Sequence, residues 1–326
     1  MPCHVMRYRY QNTAQWGVVL GDRLIPLGSF ETTEAFLAEG RDRAFEISAN
    51  PEALLGDSLS VADLELLSPV TDDARVLCQG ANYRQHMIES GLNPDEKNFN
   101  MFFNKSSASL CAGDSPIVRP HHVQLLDYEV ELGLVLGSNV CAPCEVSERN
   151  LLDHIAGIVI ANDVSARDVQ IPQTQFFKGK SYRSFCPVGP RLCLLSSDDL
   201  HLLSSLTLEL YVNDDLRQRD ESANLVYKPA ETLEELSQFS NWKPGDLLMT
   251  GTPSGCALQL PPAWVSRIFG LLPDAVKWKV FVKKQAGNGR YLKPGDRVRS
   301  RIFSKDGSID LGEQRNQVVS AATGGR

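Results

Sequence analysis

Apolar and polar residues alternate along YRYQNTAQWGVVLGDRLIPL, the signature of a hairpin whose strands have one buried face. A Gly-Asp turn at Gly21-Asp22 separates its apolar strands. TTEAFLAEG then has the spacing of a short helix, opened by a Thr cap and stopped at Gly40. Ser68-Pro69-Val70 interrupts the pattern, and Arg75-Val76-Leu77-Cys78 opens a new strand. These breaks divide the chain into a small N-terminal β-rich module, residues 1–70, and a larger domain, residues 71–326. From residue 72 onward the pattern predicts strands, short helices and many Gly/Pro turns, an α+β and mainly β domain. LDYEVELGLVLG and HIAGIVIAND are strands, and SERNLLDHI before the second is a short helix with Ser147 as its N-cap. PAETLEELSQFS is an amphipathic helix, and DLLMTGTPSG is a strand running into a glycine-rich turn. KPGD occurs at Lys243–Asp246 and at Lys293–Asp296, and shared turn chemistry explains the echo more simply than a repeat.

Composition narrows the class. The 326 residues are 42% hydrophobic and 22% charged, enough to build a large core and too apolar for a disordered chain. A net charge of −7 lacks the basic field that a phosphate backbone demands, so no nucleic-acid partner is expected. MPCHVMRYRY carries no secretory apolar region, and nowhere do about 18 apolar residues run together, so a cytoplasmic protein without a membrane partner is expected. On that reading the eight cysteines are reduced thiols. Cys141 and Cys144 have metal-like spacing but lack a second pair. Residues 256–291 mix aromatic, apolar and basic side chains, and packing on the domain itself or at a dimer interface is favoured over a membrane surface.

The candidate chemistry lies on one strand. In LDYEVELGLVLG, side chains two apart share a face, so Asp127, Glu129 and Glu131 line one side while Tyr128, Val130, Leu132, Leu134 and Leu136 line the other. Like charges about 6.6–6.8 Å apart, with no Lys, Ser or Thr among them, repel unless a cation intervenes. The neighbouring apolar run IAGIVIAND ends in Asp163. Hard oxygens without His or Cys suit Mg²⁺, with Mn²⁺ or Ca²⁺ as alternatives.

GANYRQHMIESG, DYEVELGLVLG, ANDVSARDVQ, GKSYRSFCPVGP and TGTPSG, in that order, resemble the fumarylacetoacetate hydrolase family over nearly all the chain after residue 70. The resemblance implies a mixed β-roll, a homodimer and a divalent ion, with Glu129, Glu131 and Asp163 as ligands and Asp127 as a flanking acid. It implies that His86 and Glu89, one turn apart on a helix, form the water-activating base, often on a segment that orders over substrate. Lys180 matches the lysine that reaches the bound substrate, and Arg167, Gln170 and Thr252 match substrate contacts. Taken by itself, Arg167 is also suited to an ion pair with Asp168.

The implied reaction is hydrolytic cleavage of a C–C bond in a 2,4-diketo acid, an acylpyruvate or a fumarylacetoacetate-like substrate. Decarboxylation, tautomerisation or isomerisation of oxo-dicarboxylic acids is the alternative at the same ion, and a catalytically silent metal-binding protein is a second. Other chemistries fail on spacing. GTPSG is not G-x-S-x-G, GKS lacks the phosphate-loop glycine because Thr174 stands there, and no dinucleotide fingerprint occurs. Cys186 has no histidine at a recognisable spacing and is expected to be a buried thiol. Two departures from the family pattern concern specificity: Arg183, which would favour an additional substrate carboxylate if it faced the pocket, and the long excursion from Cys256 to Tyr291.

Overall fold

A computed structural model describes residues 2–259 and 273–322. The stretch 260–272, inside the excursion singled out above, lies outside the described residues. The architecture is α+β and dominated by strands in three sheets, the largest of 13 strands, with short helices between them. The main path of that sheet runs Leu59–Ser60, Arg23–Gly28, Thr13–Leu20, Cys3–Tyr10, Leu192–Leu194, Ile155–Asn162, Val130–Leu136, Leu247–Met249, Val76–Gly80 and Met101–Lys105. A five-stranded sheet packs on it, and a two-stranded ribbon joins Leu126–Asp127 to Ser165–Ala166. Among the described residues no helix is long and apolar enough to cross a membrane.

Turn chemistry accounts for the local order. Gln11 and Asn12 both have positive φ, the requirement of a tight hairpin between Cys3–Tyr10 and Thr13–Leu20. The helix Thr33–Glu39 is capped by the Thr32 hydroxyl, which accepts from the Ala35 amide at 3.0 Å. Both KPGD segments are the same turn. In each the aspartate carboxylate accepts from the lysine amide, at 3.0 and 2.7 Å, and the glycine has φ +88 or +99. The helix expected over SERNLLDHI is shorter than its pattern, covering Leu151–His154. Asn150 takes both the amide and the hydroxyl of Ser147 on its side-chain oxygen, which turns the chain where a first helical turn would stand.

The N-terminal strands extend the large sheet. Leu192–Leu194 pairs with Cys3–Val5 on one side and with Gly157–Ile158 on the other. Thr33 and Thr71 exchange amide-to-hydroxyl bonds of 2.9 and 3.0 Å and so clamp the junction between the two sequence segments. In Cys3–Tyr10, the partly buried His4 leaves its Nδ1 without a hydrogen bond. Burial, reinforced by Arg191, lowers its pKa from 6.5 to about 4. Between those values the unfolded chain holds a proton that the folded one does not, so stability falls as pH drops through that window. His4→Gln is expected to flatten this acid limb by up to about 3 kcal/mol, measured by urea unfolding at pH 4 and 7.

Candidate metal centre and active site

All seven residues of Val130–Leu136 and all eight of Ile155–Asn162 are buried. The carboxylate face therefore does not look into solvent; it closes on protein. The two strands are antiparallel with Val130 opposite Asn162 and Glu131 opposite Ala161. One step further, the Asp163 amide donates to the Glu129 carbonyl at 2.8 Å. Strand parity then puts Asp163 on the face shared by Glu129 and Glu131, and carboxylate oxygens of the three lie within 4.8 Å of one another. On the other flank, the chain beyond Leu247–Met249 is laced to the same strand. Thr250 and Thr252 hydroxyls donate to the carbonyls of Leu132 and Val130, both at 2.9 Å, and the Gly251 amide donates to Glu131 Oε2 at 2.8 Å. Gly251 has φ +88, which a side chain would strain.

Three buried cations face these acids. Arg167 donates to Asp127 at 2.9 Å, to the Gln170 side-chain oxygen at 2.9 Å, and to Glu129. Lys180 bridges Glu129, at 2.7 Å, and Asp163 Oδ2. Lys105 donates to Asp163 Oδ1 at 2.5 Å and to the Phe185 carbonyl at 2.8 Å. Gly179 makes the approach of Lys180 possible, because a Cβ there would meet Gln170 at 2.8 Å. The glycine of GKS is thus a packing glycine between the helices Arg167–Gln173 and Phe176–Lys180.

The charges are unequally matched. Burial would raise the Glu129 carboxyl, but Arg167, Lys180 and His86 hold it well below the usual range. Burial, then Asp163 and Glu129, push Glu131 well above it. With all groups ionised, four carboxylates against three cations leave the cluster one negative charge in excess. Hard oxygens, an electrostatically uncompensated Glu131 and a lysine ammonium already bridging two of the acids all suit a divalent cation. Such an ion would reverse the net charge to one positive, which suits an anionic substrate.

The cavity beside the acids has a volume of about 290 Å³ and is lined by His86, Glu89, Glu129, Glu131, Lys180 and Thr252, among others. His86 and Glu89 stand on the short helix Arg84–Glu89. The helix entry is pinned by Asn82, whose amide nitrogen donates to the Thr250 and Tyr227 carbonyls at 3.0 and 3.1 Å. His86 is half-buried. Burial first, then Arg167 and Lys180, lower its pKa against the opposing pull of Glu129 and Glu89, so it is neutral at pH 7. Phe103 and Phe176 meet edge-to-face at 5.2 Å on the cavity wall.

Of the residues singled out from sequence, His86, Glu89, Glu129, Glu131, Arg167, Gln170, Lys180 and Thr252 line this cavity, and Asp163 lies directly behind Lys180. Arg183 does not: it is exposed and outside the lining, next to Ser184, whose hydroxyl accepts from the Val118 amide at 2.8 Å and fixes the loop away from the site. Arg167 pairs with Asp127 and Glu129 in place of Asp168, which instead accepts from the Gln124 amide at 2.6 Å. One member of the cluster, Lys105, went unread: it is a single lysine at the end of an aromatic strand, which in sequence looks like any solvent-facing strand end. Asp127, the flanking acid of the sequence motif, is a hub that accepts from Arg167 and from the amides of Ala257 and Leu258, at 2.7 and 3.0 Å.

The α+β fold brings a buried carboxylate triad beside a histidine-bearing helix, and sequence comparison supplies the class. Residues 75–319 match the fumarylacetoacetate (FAA) hydrolase C-terminal family, and the chain belongs to the fumarylacetoacetate hydrolase family of enzymes. It is 35% identical over 233 residues to the oxaloacetate tautomerase YisK of Bacillus subtilis, covering 70% of this chain and 75% of that one. It is 33% identical over 211 residues to the mitochondrial oxaloacetate tautomerase fahd2 of Xenopus laevis, covering 64% of each. The fumarylacetoacetate hydrolase of Exiguobacterium antarcticum superposes with a TM-score of 0.71 at 26% identity, over 98% of this chain and 100% of that one.

Proposed function

We propose that the protein interconverts the keto and enol forms of a small 2-oxo dicarboxylic acid of the oxaloacetate type, at a divalent ion, Mg²⁺ first, held by Glu129, Glu131 and Asp163. The observation that carries this reading is the neutral, half-buried His86 facing Glu129 across a cavity of about 290 Å³, a base beside a chelating triad. Two tautomerases among the relatives support the choice of reaction. When bound, the ion polarises the two adjacent oxygens of a 2-oxo acid. The chain's own residues do the rest. His86 accepts the proton from C3 as that C–H bond breaks, and its imidazolium is steadied by Glu89 and Glu129. Lys180 and Arg167 oppose the negative charge gathering on the C2 oxygen. Return of the proton to that oxygen completes the enol.

A second reading is hydrolytic C–C cleavage of a 2,4-diketo acid, favoured by a fumarylacetoacetate hydrolase among the structural neighbours. There His86 would take its proton from water, the hydroxide would add to a carbonyl, and the C–C bond would break to give a carboxylic acid and an enol. Oxaloacetate, acylpyruvates, fumarylpyruvate and fumarylacetoacetate, each assayed with Mg²⁺ and with chelator, separate the readings. The expected result is ion-dependent decay of enol-oxaloacetate absorbance with no change in carbon count. Cleavage of a diketo acid alone would replace this reading with the second. Silence on the whole panel with intact ion binding would favour a catalytically silent homologue. His86→Ala is expected to lower the tautomerisation rate about 10²-fold and to spare ion binding by calorimetry.

A further inference from the structure

Cys256 is the only one of the eight cysteines placed, among the described residues, where an imidazole and a carboxylate are both in reach. A ring nitrogen of His86, a carboxylate oxygen of Glu129 and the Cys256 sulfur lie within 4.8 Å of one another. The sulfur is 3.8 Å from Glu129 Oε1, and Cys256 is 5% exposed. Its position is held by Gln218, whose amide nitrogen lies 3.6 Å from the sulfur while also donating to Thr252 and Pro253 at 2.8 Å. Tetrahedral zinc with its usual bond lengths sets its N, O and S ligands about 3.3–3.6 Å apart. The three atoms therefore need to close by no more than about 1.5 Å, much of which the half-buried His86 side chain can supply.

We propose that His86, Cys256 and Glu129 form a second cation site, selective for a thiophilic divalent ion such as Zn²⁺, whose occupation shuts down the site next to it. Nitrogen, sulfur and oxygen together suit Zn²⁺ and exclude Mg²⁺, which demands oxygen. On ligation the thiol proton leaves to water and the sulfur–metal bond forms, with no change of oxidation state. The thiolate brings one new negative charge to the ion, Glu129 Oε1 turns to the metal from its contact with Arg167, and the cavity supplies a water as fourth ligand. Occupation removes the imidazole lone pair from catalysis and shares Glu129 with the hard-ion triad. Inhibition by Zn²⁺ thus rests on the function proposed above, but binding at Cys256 does not.

Cobalt(II) serves as the spectroscopic stand-in for zinc, added to the full-length protein in excess Mg²⁺. The expected result is a near-ultraviolet sulfur-to-cobalt charge-transfer band, abolished by Zn²⁺, absent in Cys256→Ser and weakened at equal cobalt in His86→Ala. Half-inhibition of the Mg²⁺-supported reaction by Zn²⁺ is expected to need at least tenfold more metal in Cys256→Ser, each protein being compared with its own uninhibited rate. A band that is missing in the unmodified protein, or unchanged in Cys256→Ser, would overturn the proposal whether or not the protein turns over any substrate. The His86→Ala spectrum keeps it testable should the buried serine variant fold poorly.

Discussion

Glu131→Gln is expected to abolish divalent-ion binding and to lower turnover more than about 10³-fold, since polarisation by the ion is worth several kcal/mol. The same substitution should stabilise the ion-free protein. Glu131 is 1% exposed, accepts the Gly251 amide at 2.8 Å, and is pushed well above its ordinary 4.5 by burial, Asp163 and Glu129. Above pH 4.5 the unfolded chain ionises this group while burial and its acidic neighbours hold the proton on in the folded chain. That mismatch costs stability increasingly as pH rises above 4.5. Gln keeps the oxygen that Gly251 requires and carries no proton to retain. Urea unfolding in chelator should therefore show the variant more stable than the parent at pH 7 and equal to it near pH 4. Added Mg²⁺ should raise the parent's stability and leave the variant's unmoved. A variant destabilised at pH 7 in chelator would mean that Glu131 is compensated in the folded protein and would remove the charge argument for an ion.

Lys105→Met should destabilise the protein by about 3–5 kcal/mol, the cost of breaking a buried pair from one side. The lysine side chain is fully buried, and its ammonium holds one oxygen of Asp163 together with the Phe185 carbonyl. Methionine fills the space of the stem but leaves both acceptors without that donor. The loss of one positive charge also deepens the negative charge of the cluster, so Mg²⁺ should bind more tightly although the fold is weaker. A lower denaturation midpoint in chelator, with a smaller deficit in saturating Mg²⁺, is the paired signature. Equal deficits with and without the ion would assign Lys105 to packing alone.

Periodicity and turn chemistry made the strands, the hairpins and the glycine-rich turn legible, because each is set by neighbours within a few residues. The two-residue spacing of Glu129 and Glu131 likewise forces them onto one face. What local pattern could not carry is what covers that face. Ile155–Asn162 and Leu247–Met249 take the two edges of Val130–Leu136, and Arg167 and Lys180 close over the acids of its face, contacts that only the folded topology supplies. Asp127 shared the alternating pattern of Glu129 and Glu131, yet its strand ends at that residue and pairs with Ser165–Ala166, which sets it behind Arg167. Lys105 meets an acid 58 positions away, and no spacing rule reaches that far. Arg183 departs from the family pattern, but whether it faces the pocket is set by the loop, and beside Ser184 in a left-handed turn at φ +68 it is exposed and outside the cavity lining.

Pairing of Cys3 with Leu194 also orders events during synthesis. The first strand leaves the ribosome with its hairpin partner close behind, but the strand that ties it to the catalytic half follows about 190 residues later, roughly 10–40 s at ordinary elongation rates. Glu65–Leu67 takes the Arg7–Arg9 part of that edge early, but through the interval Cys3–Val5 waits for Leu192–Leu194 to cover it. Slowing translation after residue 70 should therefore lower the yield of soluble protein, whereas slowing it after residue 200 should not.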